Sequence, residues 1–322
     1  MKPYTNNCTP SHLKNSPVSI SNFFTHNCNN FYNIKYINMS QTILVLGATG
    51  LAGKELVKIL ADKNVQVKAA TRQPEKFRSP APNVTPVHLV QEDPATFAPA
   101  LAGVDKVFLS ALPLDADAFK KLVPFVDEAK KAGVKKIVFL SALGVEHHDS
   151  APLRQIEVYV QQSGIPYGIV RPNFFMENFS EGPFSGPVKE TNQIILAADD
   201  AVYSMISTVD IAAVAAELLL NDTLNNRELT LTGPVAISNH EAADIITRHA
   251  GKTVSYLPIS EADLLSGIKA QGAPDSVGQY LAMLMASVRS GANAVVTSAV
   301  KDITGREPRS FDTFAQVNAG NF

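Results

Sequence analysis

From Gln41 onward, short apolar runs rich in β-branched residues alternate with stretches whose apolar positions recur at helical spacing. The pattern predicts a strand at 42–46, a helix running to Ala61, strands at 65–70 and 84–90, and a short helix near 94–101. It continues with a strand at 106–111, a helix over 115–132, a strand at 136–141, a helix over 152–163 and a strand at 166–170. Alternation of this length predicts an α/β protein: a doubly wound parallel sheet with helices on both faces. After Arg171 the rhythm becomes irregular. Ser238-x-x-Glu241 and Ser260-x-x-Asp263 have capping-box spacing, and each opens an amphipathic helix. Residues 172–322 are therefore expected to form a smaller, helix-rich cap, including strands that return to the main sheet. Ligands of such sheets bind at the carboxyl ends of the strands, so the cap should close over that edge.

Residues 1–38 are a different material. They are rich in Asn and Ser, contain no Asp, Glu or Arg, and lack either periodicity, which predicts a disordered extension. They have neither the continuous apolar core of a secretory signal nor the arginines of a mitochondrial presequence. Met39 is an alternative natural start, since Met39-Ser40-Gln41 leads straight into the first strand.

Composition narrows the partners. The 322 residues are 45% hydrophobic with a net charge of -2, enough for a large core and without the basic footprint of a nucleic-acid binder. The most apolar stretch, 211–220, contains Glu217 and is far shorter than the roughly 20 residues a membrane span needs. Both cysteines, Cys8 and Cys28, lie in the first 30 residues, and the rest of the chain reads as cytoplasmic. The histidines show no metal-ligand spacing, and His147-His148-Asp149 reads as a solvated loop. Small molecules are the expected partners.

The chemistry is concentrated after the first strand. Gly47-Ala48-Thr49-Gly50-Leu51-Ala52-Gly53 joins that strand directly to a helix. Gly47 suits a tight turn, Gly50 lets backbone approach a pyrophosphate, and Gly53 lets the helix lie close to the sheet. The phosphates then sit on the N–H groups of the helix N-terminus, so residues 39–171 are expected to be a dinucleotide-binding domain. The second strand ends at Thr71-Arg72, where an NAD-binding protein would place an acid on the ribose hydroxyl. A guanidinium there pairs with a 2′-phosphate and Lys76 adds a second positive charge, which favours NADP(H) over NAD(H).

With these residues the chain resembles the NmrA-like family of atypical short-chain dehydrogenase/reductases. Within it, the likeness is to type-two NAD(P)H:quinone oxidoreductases and triphenylmethane reductases. The resemblance spans about residues 41–318. It includes Ala102-Gly103-Val104-Asp105, Ser163-Gly164-Ile165-Pro166-Tyr167 and Arg171-Pro172-Asn173-Phe174-Phe175-Met176-Glu177-Asn178. It implies that Gly47, Thr49, Gly50, Leu51 and Arg72 hold the adenosine and phosphate half of the cofactor. Ser110, Ala111, Leu112 and Ser141 would line its nicotinamide half, although Ser110 and Ser141 serve equally as hydroxyls that satisfy a local strand end. Asn173, Phe174 and Phe175 would wall an acceptor pocket, although Phe174 and Phe175 serve equally as filling between sheet and cap.

Most short-chain dehydrogenases pair a tyrosine with a lysine four residues later. No Tyr-x-x-x-Lys occurs in this chain, and Tyr167-x-x-x-Arg171 falls on a strand. Glu157 reads as a charged helix-surface residue in preference to a proton relay, and Tyr159 and Tyr167 read as packing residues, so no catalytic residue is assigned. A reduced quinone leaves as a phenolate-type anion, and phenols titrate near 10, so such an acceptor tolerates a missing general acid. An oxidoreductase acting on quinones or similar conjugated acceptors is therefore favoured. The alternative is a regulatory protein that senses the redox state of NADP(H) without turnover.

Overall fold

Strand-forming and helix-forming stretches fall close to the predicted order. In the computed structural model, which describes residues 41–322, β1 (Thr42–Val45), β2 (Gln66–Thr71), β3 (Val84–His88), β4 (Lys106–Ser110), β5 (Lys136–Leu140) and β6 (Tyr167–Pro172) are all parallel. The expected extension at 1–38, the alternative start at Met39 and both cysteines lie outside the described residues. Four helices connect these strands: α1 (Leu51–Ala61), α2 (Phe97–Leu101), α3 (Ala118–Lys131) and α4 (Pro152–Gln162). Beyond β6 come α5 (Ser185–Glu190), β7 (Gln193–Leu196), β8 (Val202–Tyr203) and α6 (Thr208–Leu220). Then β9 (Arg227–Leu231) returns to pair with β6, giving seven strands in the order β3-β2-β1-β4-β5-β6-β9. This is the doubly wound arrangement, with the order reversing beside β1.

One core lies between the sheet and α1 and α6, and a second between the sheet and α2, α3 and α4. Helix α6 is apolar on nearly every side because it is enclosed by sheet, α1 and α10 (Ala299–Thr304), with ten of its residues buried. A third core joins β7, β8, β10 (Ile237–Ser238) and β11 (Ser255–Pro258) to α7 (Asn239–Ala250), α8 (Glu261–Ala270), α9 (Asp275–Arg289) and α11 (Phe311–Val317). Both capping boxes form as the spacing predicts: Ser238 accepts from Glu241 N and Ser260 from Asp263 N.

Two lysines inside the sheet are the unexpected feature. Lys106 and Lys136 are register partners on β4 and β5, and only 2% and 1% exposed. They point at the carboxyl end of α6. Lys106 Nζ donates to the Leu219 carbonyl (2.8 Å) and pairs with Asp222 (2.6 Å), while Lys136 Nζ donates to the Asn221 carbonyl (3.0 Å). Unpaired carbonyls and the negative end of the helix dipole are thereby met by positive charge. Burial and the neighbouring Lys106 push Lys136 down to about 8, with Asp222 opposing.

Between about pH 8 and 10.5 the unfolded chain keeps the Lys136 proton and the folded chain releases it, so this residue makes stability rise with pH. Lys136→Met should remove that increment. The gain in unfolding free energy between pH 8 and 10, measured by denaturant titration, should shrink by about 2 kcal/mol against wild type. An unchanged gain would contradict the assignment.

Candidate cofactor cleft

The site begins with the tight loop between β1 and α1. Gly47 adopts a left-handed conformation (φ +65), and a Cβ there would also stand 2.6 Å from Ser110 Oγ. Gly50 N closes the turn on the Gly47 carbonyl (2.8 Å). A Cβ on Gly53 would lie 2.0 Å from that same carbonyl, so only glycine lets the first turn of α1 rest on its own loop. Gly50 is the N-cap of α1, without a capping side chain and without an acid in the first turn. The N–H groups at this end are thus left for an external anion, unlike those of α7 and α8.

An open cleft runs across the carboxyl ends of the strands from this loop. Of the residues that the sequence singled out, Gly47, Thr49, Gly50, Leu51, Gly53, Arg72, Ser110, Ala111, Leu112 and Phe175 line it. Ala48 is buried beneath it in the α1-side core. At the end of β2 the cleft opens into a polar hollow shared by Thr49, Thr71, Arg72, Gln73 and Lys76. Thr71 Oγ1 accepts from Gln73 N (3.2 Å), and a short 3-10 helix at Pro74–Lys76 returns Lys76 to Arg72's side of the hollow. Among the described residues neither cation has a carboxylate partner, and both are exposed. Glycine cradle, uncapped helix and paired cations fit the pyrophosphate and 2′-phosphate of a dinucleotide.

Residues 39–310 match the NmrA-like family. This chain belongs to the NmrA-like family. It is 34% identical to prestalk A differentiation protein A of Dictyostelium discoideum, across 90% of this chain and 95% of that protein. It is 31% identical to NAD(P)H azoreductase of Xenophilus azovorans, across 87% of this chain and 99% of that protein. The NmrA-like fold is also that of the NADPH-dependent quinone oxidoreductase of Escherichia coli complexed with NADPH, at a TM-score of 0.74 and 24% identity, covering 86% of this chain and 99% of the other.

Besides Ala48, three expected residues of this NmrA-like chain lie outside the cleft lining. Ser141 follows Leu140 on β5, so the pleat sends it to the opposite face, where it is 5% exposed beside α4. Asn173 is 3% exposed with its amide fully engaged: it donates to Ser204 Oγ and the Asn293 carbonyl (2.8 Å each) and accepts from Phe174 N (2.9 Å) and Asn293 Nδ2 (2.8 Å). Phe174 packs against the third core, stacked on Phe184 at 5.6 Å and edge-on to Tyr203 at 5.4 Å. Of that segment, Phe175 alone faces the cleft. Pro113 joins it there, while Leu114 turns away in a left-handed conformation (φ +58). Spacing did not single out Leu140 or Gln91, which also line the cleft. Gln91 lies three residues beyond the end of β3, and its place in the loop after a strand's carboxyl end is the signal that marks it.

Glu157 corrects the sequence-based expectation. Far from lying on the helix surface, it is fully buried on α4 against β6. Arg171 on β6 grips it with two bonds (2.7 and 2.8 Å) and also meets Glu228 on β9 (2.6 Å), while Arg154 adds a third bond to Glu157 (3.0 Å). The surface prior fails because an acid three residues after Arg154 and facing an arginine on the neighbouring strand can be buried as an ion pair. Burial pushes the Glu157 carboxyl up, but the bonds from Arg171, with Arg154 assisting, outweigh it and hold it below the ordinary range. It stays ionised near neutrality and has no proton to give. Tyr159 donates to Asp127 (2.6 Å) and packs edge-on to Phe119, a packing role as expected.

Glu157→Gln should destabilise the fold by about 3 kcal/mol in urea unfolding, since it leaves Arg171 buried without its main counter-charge. A loss below about 1 kcal/mol would mean that the pair is solvent-compensated.

Proposed function

We propose that this chain is an NADPH-dependent reductase that passes hydride to a quinone-like or similarly conjugated small-molecule acceptor. The observation that carries it is the polar hollow at the end of β2, where Arg72 and Lys76 stand without carboxylate partners and open directly into the glycine-loop cleft. The fork of a guanidinium matches a 2′-phosphate, and a second cation nearby strengthens the preference. When bound, the cofactor supplies the hydride.

The chain's own residues hold and shield. The N-terminus of α1 takes the pyrophosphate between Gly47 and Gly53. Leu112, Pro113, Leu140 and Phe175 make the far end of the cleft apolar, so that a flat conjugated acceptor is desolvated and oriented there. Among the described residues, Arg72 and Glu92 are the ionisable side chains that line the cleft, and Glu92 is paired with Lys121 at 3.3 Å. Neither suits a general acid at the acceptor end. That favours acceptors whose reduced form is a weakly basic anion able to wait for a solvent proton. The similarity to an NAD(P)H azoreductase supports reduction of a small-molecule acceptor.

The test is NADPH consumption by the full-length chain with a panel of quinones and conjugated dyes, NADH being the parallel donor. Saturable oxidation preferring NADPH is expected. Arg72→Glu should raise KM for NADPH roughly 30- to 100-fold, about 2 to 3 kcal/mol, and leave KM for NADH within about threefold. An NADPH KM unmoved by Arg72→Glu would refute the phosphate assignment. Tight NADPH binding without oxidation by any acceptor would instead favour a regulatory protein that senses the cofactor.

A further inference from the structure

Gln91 is 8% exposed, lines the cleft, and has one end of its amide fixed: Nε2 donates to the Ser110 carbonyl at 2.9 Å. A backbone carbonyl only accepts, so this bond decides which end of the amide is nitrogen. The remaining end is therefore Oε1, a buried acceptor with no donor in the protein. Leaving such an atom unmet is costly, and a rotated amide would set Oε1 against the Ser110 carbonyl. The oxygen is held in one orientation and requires a donor from a ligand.

The sheet order says which part of the ligand lies there. Arg72 and Lys76 place the phosphorylated ribose at the end of β2, and β3, whose chain leads into Gln91, is the next strand outward. The acceptor end, with Leu140 and Phe175, is on the other side of the glycine loop. The base attached to the phosphorylated ribose thus lies along Ala70, Leu89 and Gln91, where the first two offer apolar contact to its faces. Adenine has one exocyclic hydrogen-bond donor, its C6 amine. We infer that Gln91 Oε1 accepts from that amine and makes the cleft specific for adenine over bases with an oxygen at C6. This rests on the proposed NADPH site and adds base selectivity to it.

The experiment compares the affinity of the full-length chain for NADPH and for the reduced hypoxanthine analogue, in which the C6 amine is replaced by oxygen, by titrating nicotinamide fluorescence. NADPH should bind at least about tenfold more tightly, since the analogue sets two acceptors against each other. In Gln91→Met, checked for an unchanged melting temperature, NADPH should weaken about tenfold and the ratio should fall to within about twofold. Equal affinities in the wild type overturn the inference without involving any variant, as does a ratio that survives Gln91→Met. Failure to bind NADPH at all overturns instead the cofactor assignment on which the inference rests.

Discussion

The site depends on one close contact, the first turn of α1 resting on the Gly47 carbonyl with no room for a Cβ at Gly53. That contact holds the uncapped N-terminus of α1 at the sheet edge, where its N–H groups face outward rather than into a side-chain cap. It is maintained from behind. Helix α6 packs along α1, and the carboxyl end of α6 is anchored by Lys106 and Lys136 from inside the sheet. At its other end Glu177 accepts from Ser207 Oγ (2.7 Å) and Thr208 N (2.9 Å), so both termini of the supporting helix are fixed by buried polar contacts.

The pleat of the sheet then separates binding from scaffolding. Ser110 and Leu140 are register partners and face the cleft. One residue further on, Ser141 faces α4 and its buried pair Glu157–Arg171. The buried acid of this region, Glu157, is thus held on the far face and locked into an ion pair with Arg171. The cleft keeps a cationic end, with Arg72 and Lys76, and an apolar end. Such a site favours reactions in which positioning and desolvation matter more than acid catalysis.

Much of this was legible in the sequence because it rests on local rules. Strand and helix periodicity gave the order of the doubly wound half, the Ser-x-x-Glu/Asp spacing gave the starts of α7 and α8, and the glycine spacing gave the loop. The place of Arg72 at the end of β2, where an acid is missing, was legible in the same way. Long-range pairings were not. Glu157 looks like any helix-surface acid until Arg171 and Glu228 arrive from β6 and β9, and Lys106 looks like the solvent-facing start of a strand until α6 ends above it. Asn173, Phe174 and Phe175 are adjacent in sequence yet divide among a hydrogen-bonded anchor, the third core and the cleft. That division is set by where Asn293 and Phe184 come to rest, some 120 residues away in the first case.

The central claim is that the hollow at the end of β2 and the glycine loop together hold a 2′-phosphorylated adenosine. Calorimetric titration of the full-length chain with adenosine 2′,5′-bisphosphate and with adenosine 5′-monophosphate tests it without the nicotinamide or any acceptor. The bisphosphate should bind about 30-fold or more tightly than the monophosphate and be displaced by NADPH, as expected for a charge-assisted bidentate contact. Equal affinities for the two nucleotides would contradict the account.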